Sequence, residues 1–191
     1  PEALEELKEK LPALPPDVTG VIHKRRHIFL GRWMKHGVYP VKLLRLFRYG
    51  AARCEQRHMD EHMELSRGRA VEFEHDFVDE NLNGLGWWAH KHVDYSAREL
   101  ADLEDILSSA AADSGINGQA ERKRAMKERY ARQPLFWRSF AYFCYRYFLK
   151  LGFLDGREGF LWHFMQGWWY RTLVDARQFE KQKKGSGKTA R

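Results

Sequence analysis

Apolar and polar positions change rhythm along this chain, and the changes predict its elements. "PEALEELKEKLPALPPDV" sets Leu4, Leu7 and Leu11 on one side of a short helix that Pro15–Pro16 ends. "VTGVIHKRRHIFLG" is rich in β-branched and aromatic residues and predicts a strand. "YPVKLLRLFRYG" predicts a second, with Val41 and Leu43, joined by Leu44, toward a core. "AARCEQRHMDEHMELSRGR" has no regular period. "AVEFEHDFV" alternates Val71, Phe73, His75 and Phe77 with Glu72, Glu74 and Asp76, the period of a half-buried strand. After Asn83–Gly84 the period becomes helical. One long helix is expected over 85–111, then a break at "DSGINGQ", then helices near 119–132, 134–151 and 156–183. The basic end "KKGSGKTAR" has only Ala190 to anchor it and is expected to be disordered.

Composition narrows the class. The chain has 191 residues, of which 43% are hydrophobic, enough for a sizeable core. The formal net charge is +7 and the pI about 9.4, which favours an anionic partner such as nucleic acid, acidic lipid or a phosphorylated small molecule. Cys54 and Cys144 stand in unrelated contexts, so a disulfide framework is not expected and a reducing compartment fits. No signal peptide is visible, and no uncharged apolar run reaches the roughly 20 residues of a spanning helix. The start at Pro1 rather than Met gives the expectation of a piece cut from a longer protein.

Chemistry concentrates between 53 and 92. Five of the nine histidines fall there: His58, His62, His75, His90 and His92. No Cys or His pair recurs with a matching second pair, so a zinc site is not indicated. "RHMDEHMEL" places Asp60, Glu61 and His62 side by side behind Arg57 and His58. Joining an acceptor hydroxyl to an activated donor needs an ionised carboxylate to take the hydroxyl proton. It also needs positive charge on the departing phosphate. Asp60 or Glu61 can supply the first, and His62, Arg57 and Arg53 the second. The competing reading is a solvated acidic turn.

Three blocks then carry a resemblance: "LLRLFRYGAARCEQRHMDEHMEL", "FEHDFVDENLNGLGWWAHKHVDYSARE" and "PLFWRSFAYFCYRYFLKLGFLDGREGFLWHFMQGWWYRTLVDARQFE". In this order and spacing, over about residues 2–180, the chain resembles the C-terminal half of bacterial family-2 glycosyltransferases. The branch it resembles makes cell-surface polysaccharides of the colanic-acid type. The resemblance implies an α/β class, α+β in this fragment: the acceptor-side part of a GT-A domain over 1–112. A helical membrane-associating region over 113–183 and a tail over 184–191 would follow. It implies transfer of a sugar from a nucleotide-sugar donor to a glycan or lipid-linked acceptor, with inversion. A divalent metal, Mg or Mn, would sit on the donor diphosphate, held mainly by an Asp-x-Asp that this sequence lacks. The donor-binding half is thus expected to be missing, and the fragment alone to be inactive. "MDEH" falls where the family carries its catalytic base, so Asp60 and Glu61 are the candidates. His62 is a candidate for the metal or diphosphate environment, and Arg57, Lys91 and His92 for substrate contacts.

Residues 136–170 hold more than half of the chain's aromatic residues. Arg138, Tyr142, Arg146 and Lys150 form an i, i+4 row beside them. A basic stripe along an aromatic face predicts a helical hairpin lying in an anionic membrane interface, through Trp137, Arg138, Arg146, Trp162, Trp168 and Trp169. The expected place of work is peripheral, at the cytoplasmic face of the bacterial inner membrane. The alternatives are a non-catalytic membrane-associated scaffold and a basic, aromatic module for single-stranded nucleic acid. The second is disfavoured because no recognised nucleic-acid motif is present.

Overall fold

A computed structural model describes residues 2–55, 59, 62–109 and 119–188. The fold is mixed α/β. Its centre is one 12-residue strand, β1 (Val18–Phe29), hydrogen-bonded along both edges. On one edge run β3 (Val41–Phe47) and the short β2 (Arg32–Trp33), both antiparallel. On the other run β6 (Arg69–Glu72) and β7 (Phe77–Glu80), both parallel to β1. β4 (Ala52–Cys54) and β5 (Met63–Leu65) form a separate hairpin within the stretch that has no sequence period. A Cβ at Gly20 would lie 2.7 Å from the Leu44 side chain and 3.0 Å from that of Leu65, so β1 passes close beneath both β3 and the hairpin.

The alternating run 70–78 was expected as one strand, and it is two. A single carboxylate interrupts it. Glu6, on α1 (Glu2–Lys10), accepts hydrogen bonds from the backbone N–H groups of Glu74 and His75, both at 2.9 Å. It also accepts from His75 Nδ1 at 2.9 Å and Lys10 Nζ at 2.8 Å. Those two N–H groups are thereby diverted from the sheet ladder. Burial alone would raise the Glu6 carboxyl, but the hydrogen bonds from Lys10, Glu74 and His75 outweigh it and hold it well below the usual carboxylate range. This stabilisation is present above about pH 4.5 and is lost as the pH falls below it. Glu6→Gln turns an amide toward donors and is expected to cost about 2 kcal/mol in urea unfolding at neutral pH.

The helices cover one end of the sheet. α2 (Leu85–Ser109) buries Trp88, Ser96, Glu99, Leu103 and Ile106, the spacing of one helical stripe. It is followed by α3 (Gln119–Ala131), α4 (Trp137–Cys144), α5 (Gly156–Trp162) and α6 (Tyr170–Lys188). Phe29, Met34, Trp88 and Trp162 make one core between sheet and helices. Leu103, Ala131, Tyr170 and Val174 make a second between helices, and Trp169 packs against both. The two expected helices over 134–151 and 156–183 are each interrupted by a π-helical turn, at 145–149 and 163–169. α6 runs to Lys188, into the stretch expected to be disordered.

The expected membrane stripe is turned inward, and this corrects the sequence reading. Arg138 and Arg146 are each 3% exposed and Trp162 is 8% exposed. Trp168 and Trp169 are half-buried, so of the six expected contacts Trp137 alone is well exposed. Contacts across the helices hold the two arginines there, an ion pair for Arg138 and a neutral amide for Arg146. Arg138 donates to Asp175 at 2.7 Å, to the Ala131 carbonyl at 2.7 Å and to Gln178 at 2.8 Å. Arg146 donates to Gln166, which links the two π-helical turns.

Candidate functional site

The acidic stretch belongs to the hairpin. Ala52, Arg53 and Cys54 pair with Leu65, Glu64 and Met63, and the next rung is closed by Glu55 N–H to the His62 carbonyl at 2.9 Å. Ser66 N–H to the Ala51 carbonyl, also 2.9 Å, ties the base of the hairpin. Arg53 stands 3.6 Å from Glu64, and His62 Nδ1 stands 3.7 Å from Glu55 Oε2. Asp60, Glu61 and Arg57 lie outside the described residues. Among the described residues no group of three or more His, Cys, Asp or Glu is placed to hold a metal ion.

Lys91 and His92, adjacent in sequence, part company at the start of α2. Lys91 Nζ lies 5.0 Å from the Trp87 ring centroid and 5.2 Å from that of Tyr95. His92 turns inward. Its ring stacks on Trp88 at 3.5 Å, meets Tyr170 edge-on at 5.2 Å, and its Nδ1 donates to the Trp88 carbonyl at 2.8 Å. Burial pushes its imidazole below the usual value, and the Lys91 and His27 charges add to this. His92 is therefore held in place by packing, with one ring nitrogen engaged by a carbonyl. Lys91 keeps an open side over exposed Trp87.

A second constellation escaped the sequence reading. It clasps the loop after β2 to the helices. Asp155, buried, accepts from the His36 backbone N–H at 2.8 Å and from His36 Nδ1 at 2.7 Å. Behind it the His163 ring is fully buried between two glycines. A Cβ on Gly37 or on Gly152 would lie 2.3 Å from that ring, so no other residue fits at either position without displacing it. Burial, then the charge of Arg146, lowers the His163 imidazole to about 4. Arg146 also acts on Tyr142: burial alone would raise its phenol, but the charges of Arg146 and Arg171 pull it down. The Arg171 guanidinium lies 4.4 Å from the Tyr142 ring and that of Arg146 5.4 Å. The sequence carried one signal for this clasp: the glycine-flanked acid of "GFLDG" and the "HG" of 36–37.

The candidate chemistry divides between the clasp and the hairpin. The clasp fixes loop 34–40 and the turn at 152–156 against each other. Arg53 stands on the stem of the hairpin, whose strands come before and after Asp60 and Glu61 in the sequence. An apolar groove of about 280 Å³, between Leu11, Leu14 and the start of β1, is lined by no titratable side chain except Arg48. No protein-family model, curated protein or solved structure matches the chain.

Proposed function

We propose that this chain is the acceptor-side part of a nucleotide-sugar glycosyltransferase that builds a cell-surface polysaccharide at the cytoplasmic face of a bacterial inner membrane. The activity is taken from the resemblance of the three sequence blocks. The structural observation that supports it is the hairpin: the segment with the two adjacent carboxylates is closed by the Glu55–His62 rung and rooted over Gly20 on the central strand. Reactive groups are commonly presented in this way, on a connection held by a rigid scaffold.

In this reading Asp60 or Glu61 takes the proton of the acceptor hydroxyl as its oxygen attacks the anomeric carbon. The bond from that carbon to the donor phosphate oxygen breaks, with inversion. Arg57 and Arg53 offer positive charge to the phosphate that leaves. His62 and Glu55 alone do not make up a metal site, so no step is assigned to a metal on the described residues.

The test is a sugar-transfer assay on the chain as its gene encodes it, with a panel of nucleotide-sugars and a lipid extract as acceptor. Asp60→Asn and Glu61→Gln keep shape and remove a proton acceptor. One of them is expected to lower turnover by about a hundredfold or more while donor binding is kept. Near-normal turnover in both variants rules out this base.

A further inference from the structure

The turn that joins the two halves of the aromatic hairpin is built like a lipid-facing tip. Between α4 and α5, Phe148, Leu149, Leu151, Phe153 and Leu154 are all exposed, Leu149 by 75%. These residues lie within seven positions of one another, and Lys150 stands among them. Phe148 continues by ring contact to Tyr147, and Tyr147 to Phe160, itself exposed and stacked on Phe164. The apolar surface is therefore continuous rather than a set of scattered residues.

Three further observations indicate what covers it. The first is the backbone. Lys150 N–H bonds to the Tyr145 carbonyl at 2.9 Å, Leu151 N–H to Phe148 at 3.2 Å and Leu154 N–H to Leu151 at 3.0 Å. These donors are satisfied inside the tip, as an apolar medium requires. The second is charge. From 132 to 174 the sequence holds two acids, Asp155 and Glu158. Asp155 is buried against His36, and Glu158 lies 3.6 Å from Arg32. Exposed Lys150 and Arg157 flank the apolar residues, so the tip offers cations and no free carboxylate. The third is conformation. Leu151 sits at φ 60°, in the left-handed region that suits glycine, with its side chain outside the core. A strained exposed leucine serves a contact beyond the fold.

We propose that residues 145–154 form a membrane-contacting tip, which inserts its leucines and phenylalanines among the headgroups of an anionic bilayer while Lys150 and Arg157 meet lipid phosphate. Among the described residues no helix is long and apolar enough to cross a membrane, and the contact proposed for the tip is a surface one. The inference shares with the transferase reading only the place of work. Vesicle binding by a chain that transfers no sugar would leave it standing.

Flotation of the full chain with phosphatidylcholine vesicles, with and without phosphatidylglycerol, tests it. The chain is expected to float with the anionic vesicles and to be partly released by salt. The double variant Leu149→Ser, Leu154→Ser, at exposed positions that the fold tolerates, should lower partitioning about tenfold or more. Lys150→Glu with Arg157→Glu should remove the salt-sensitive part. Leu82→Ser, at an 88%-exposed leucine between β7 and α2, should change nothing. Thermal melts of each variant separate lost binding from lost folding. Equal flotation of the double-serine variant and the unaltered chain overturns the proposal. So does self-association that this variant abolishes in a chain that binds no vesicle, because the occupant would then be a second copy.

Discussion

Asp175→Ala is expected to destabilise the fold by about 3–5 kcal/mol. The Asp175 and Arg138 side chains are each 1% exposed. Asp175 Oδ1 accepts from Arg138, and its Oδ2 accepts from the backbone N–H of Phe136 at 2.7 Å. Removing the carboxylate leaves a guanidinium without its counter-charge in the interior, and it also takes the acceptor from a part-buried N–H group. That N–H belongs to a residue at φ 66°, so the carboxylate holds an unfavourable turn at the start of α4 as well. The reverse truncation, Arg138→Ala, loses the bonds to Ala131 and Gln178 in addition and should cost a similar amount. Replacing both together, Arg138→Met with Asp175→Leu, should cost much less than the sum of the single changes, because a desolvated pair is exchanged for apolar packing. Urea unfolding of the two singles and the double gives the coupling directly. Additive losses would mean that the pair is not the unit holding α4 to α6.

The same pair explains which parts of this fold were legible in the sequence. Strand and helix periods are local properties, and β1, β3, α2 and α3 lie close to where the alternation of apolar and polar residues puts them. Partner choice is not local. The row Arg138, Tyr142, Arg146, Lys150 has the spacing of a solvated basic stripe, and spacing alone cannot register that Asp175, 37 positions away, waits on a facing helix. Glu6 acts at greater distance still, 68 positions from the N–H group it takes out of the β6–β7 run. The hairpin β4–β5 was missed because its strands are three residues each, too short to show a period of two. The charged residues of the sheet tell a similar story. Arg25 lies 3.4 Å from Asp79, Arg26 3.4 Å from Asp76 and Lys42 2.6 Å from Glu72. Arg25 and Arg26, part of the basic balance that favoured an anionic partner, are thus matched within the sheet.

Of the candidate site, the acidic segment was legible as a cluster of unlike charges that a simple solvated surface would not require. The clasp was signalled only by the glycines beside Asp155 and His36, because the fold alone brings the two residues to 2.7 Å. His163 was hidden for a related reason: its surroundings come from Gly37, Gly152 and Arg146, three separate stretches.

His163 gives the last expected result, a pH dependence of stability with a defined window. Its imidazole titrates near 6.5 in an unfolded chain, and in the fold burial and the charge of Arg146 lower it to about 4. Between these values the unfolded state binds a proton that the folded state excludes, so stability falls as the pH drops from about 6.5 to about 4. Above the window both states carry neutral His163 and it contributes no slope. Below the window both carry the charge, and the accumulated loss is about 3 kcal/mol. Glu6 acts in the same direction but in a different range, since its stabilisation fades only below about pH 4.5. His92, also lowered, shares the upper range with His163. The contribution of His163 is therefore read as a difference. His163→Gln removes the titrating ring but leaves Glu6 and His92 in place, so unfolding free energies of the two proteins between pH 7 and pH 4 should converge by about 3 kcal/mol toward acid. Parallel curves over that range would mean that the ring takes up its proton in the fold at the same pH as in the unfolded chain, and that the space between Gly37 and Gly152 admits a charge.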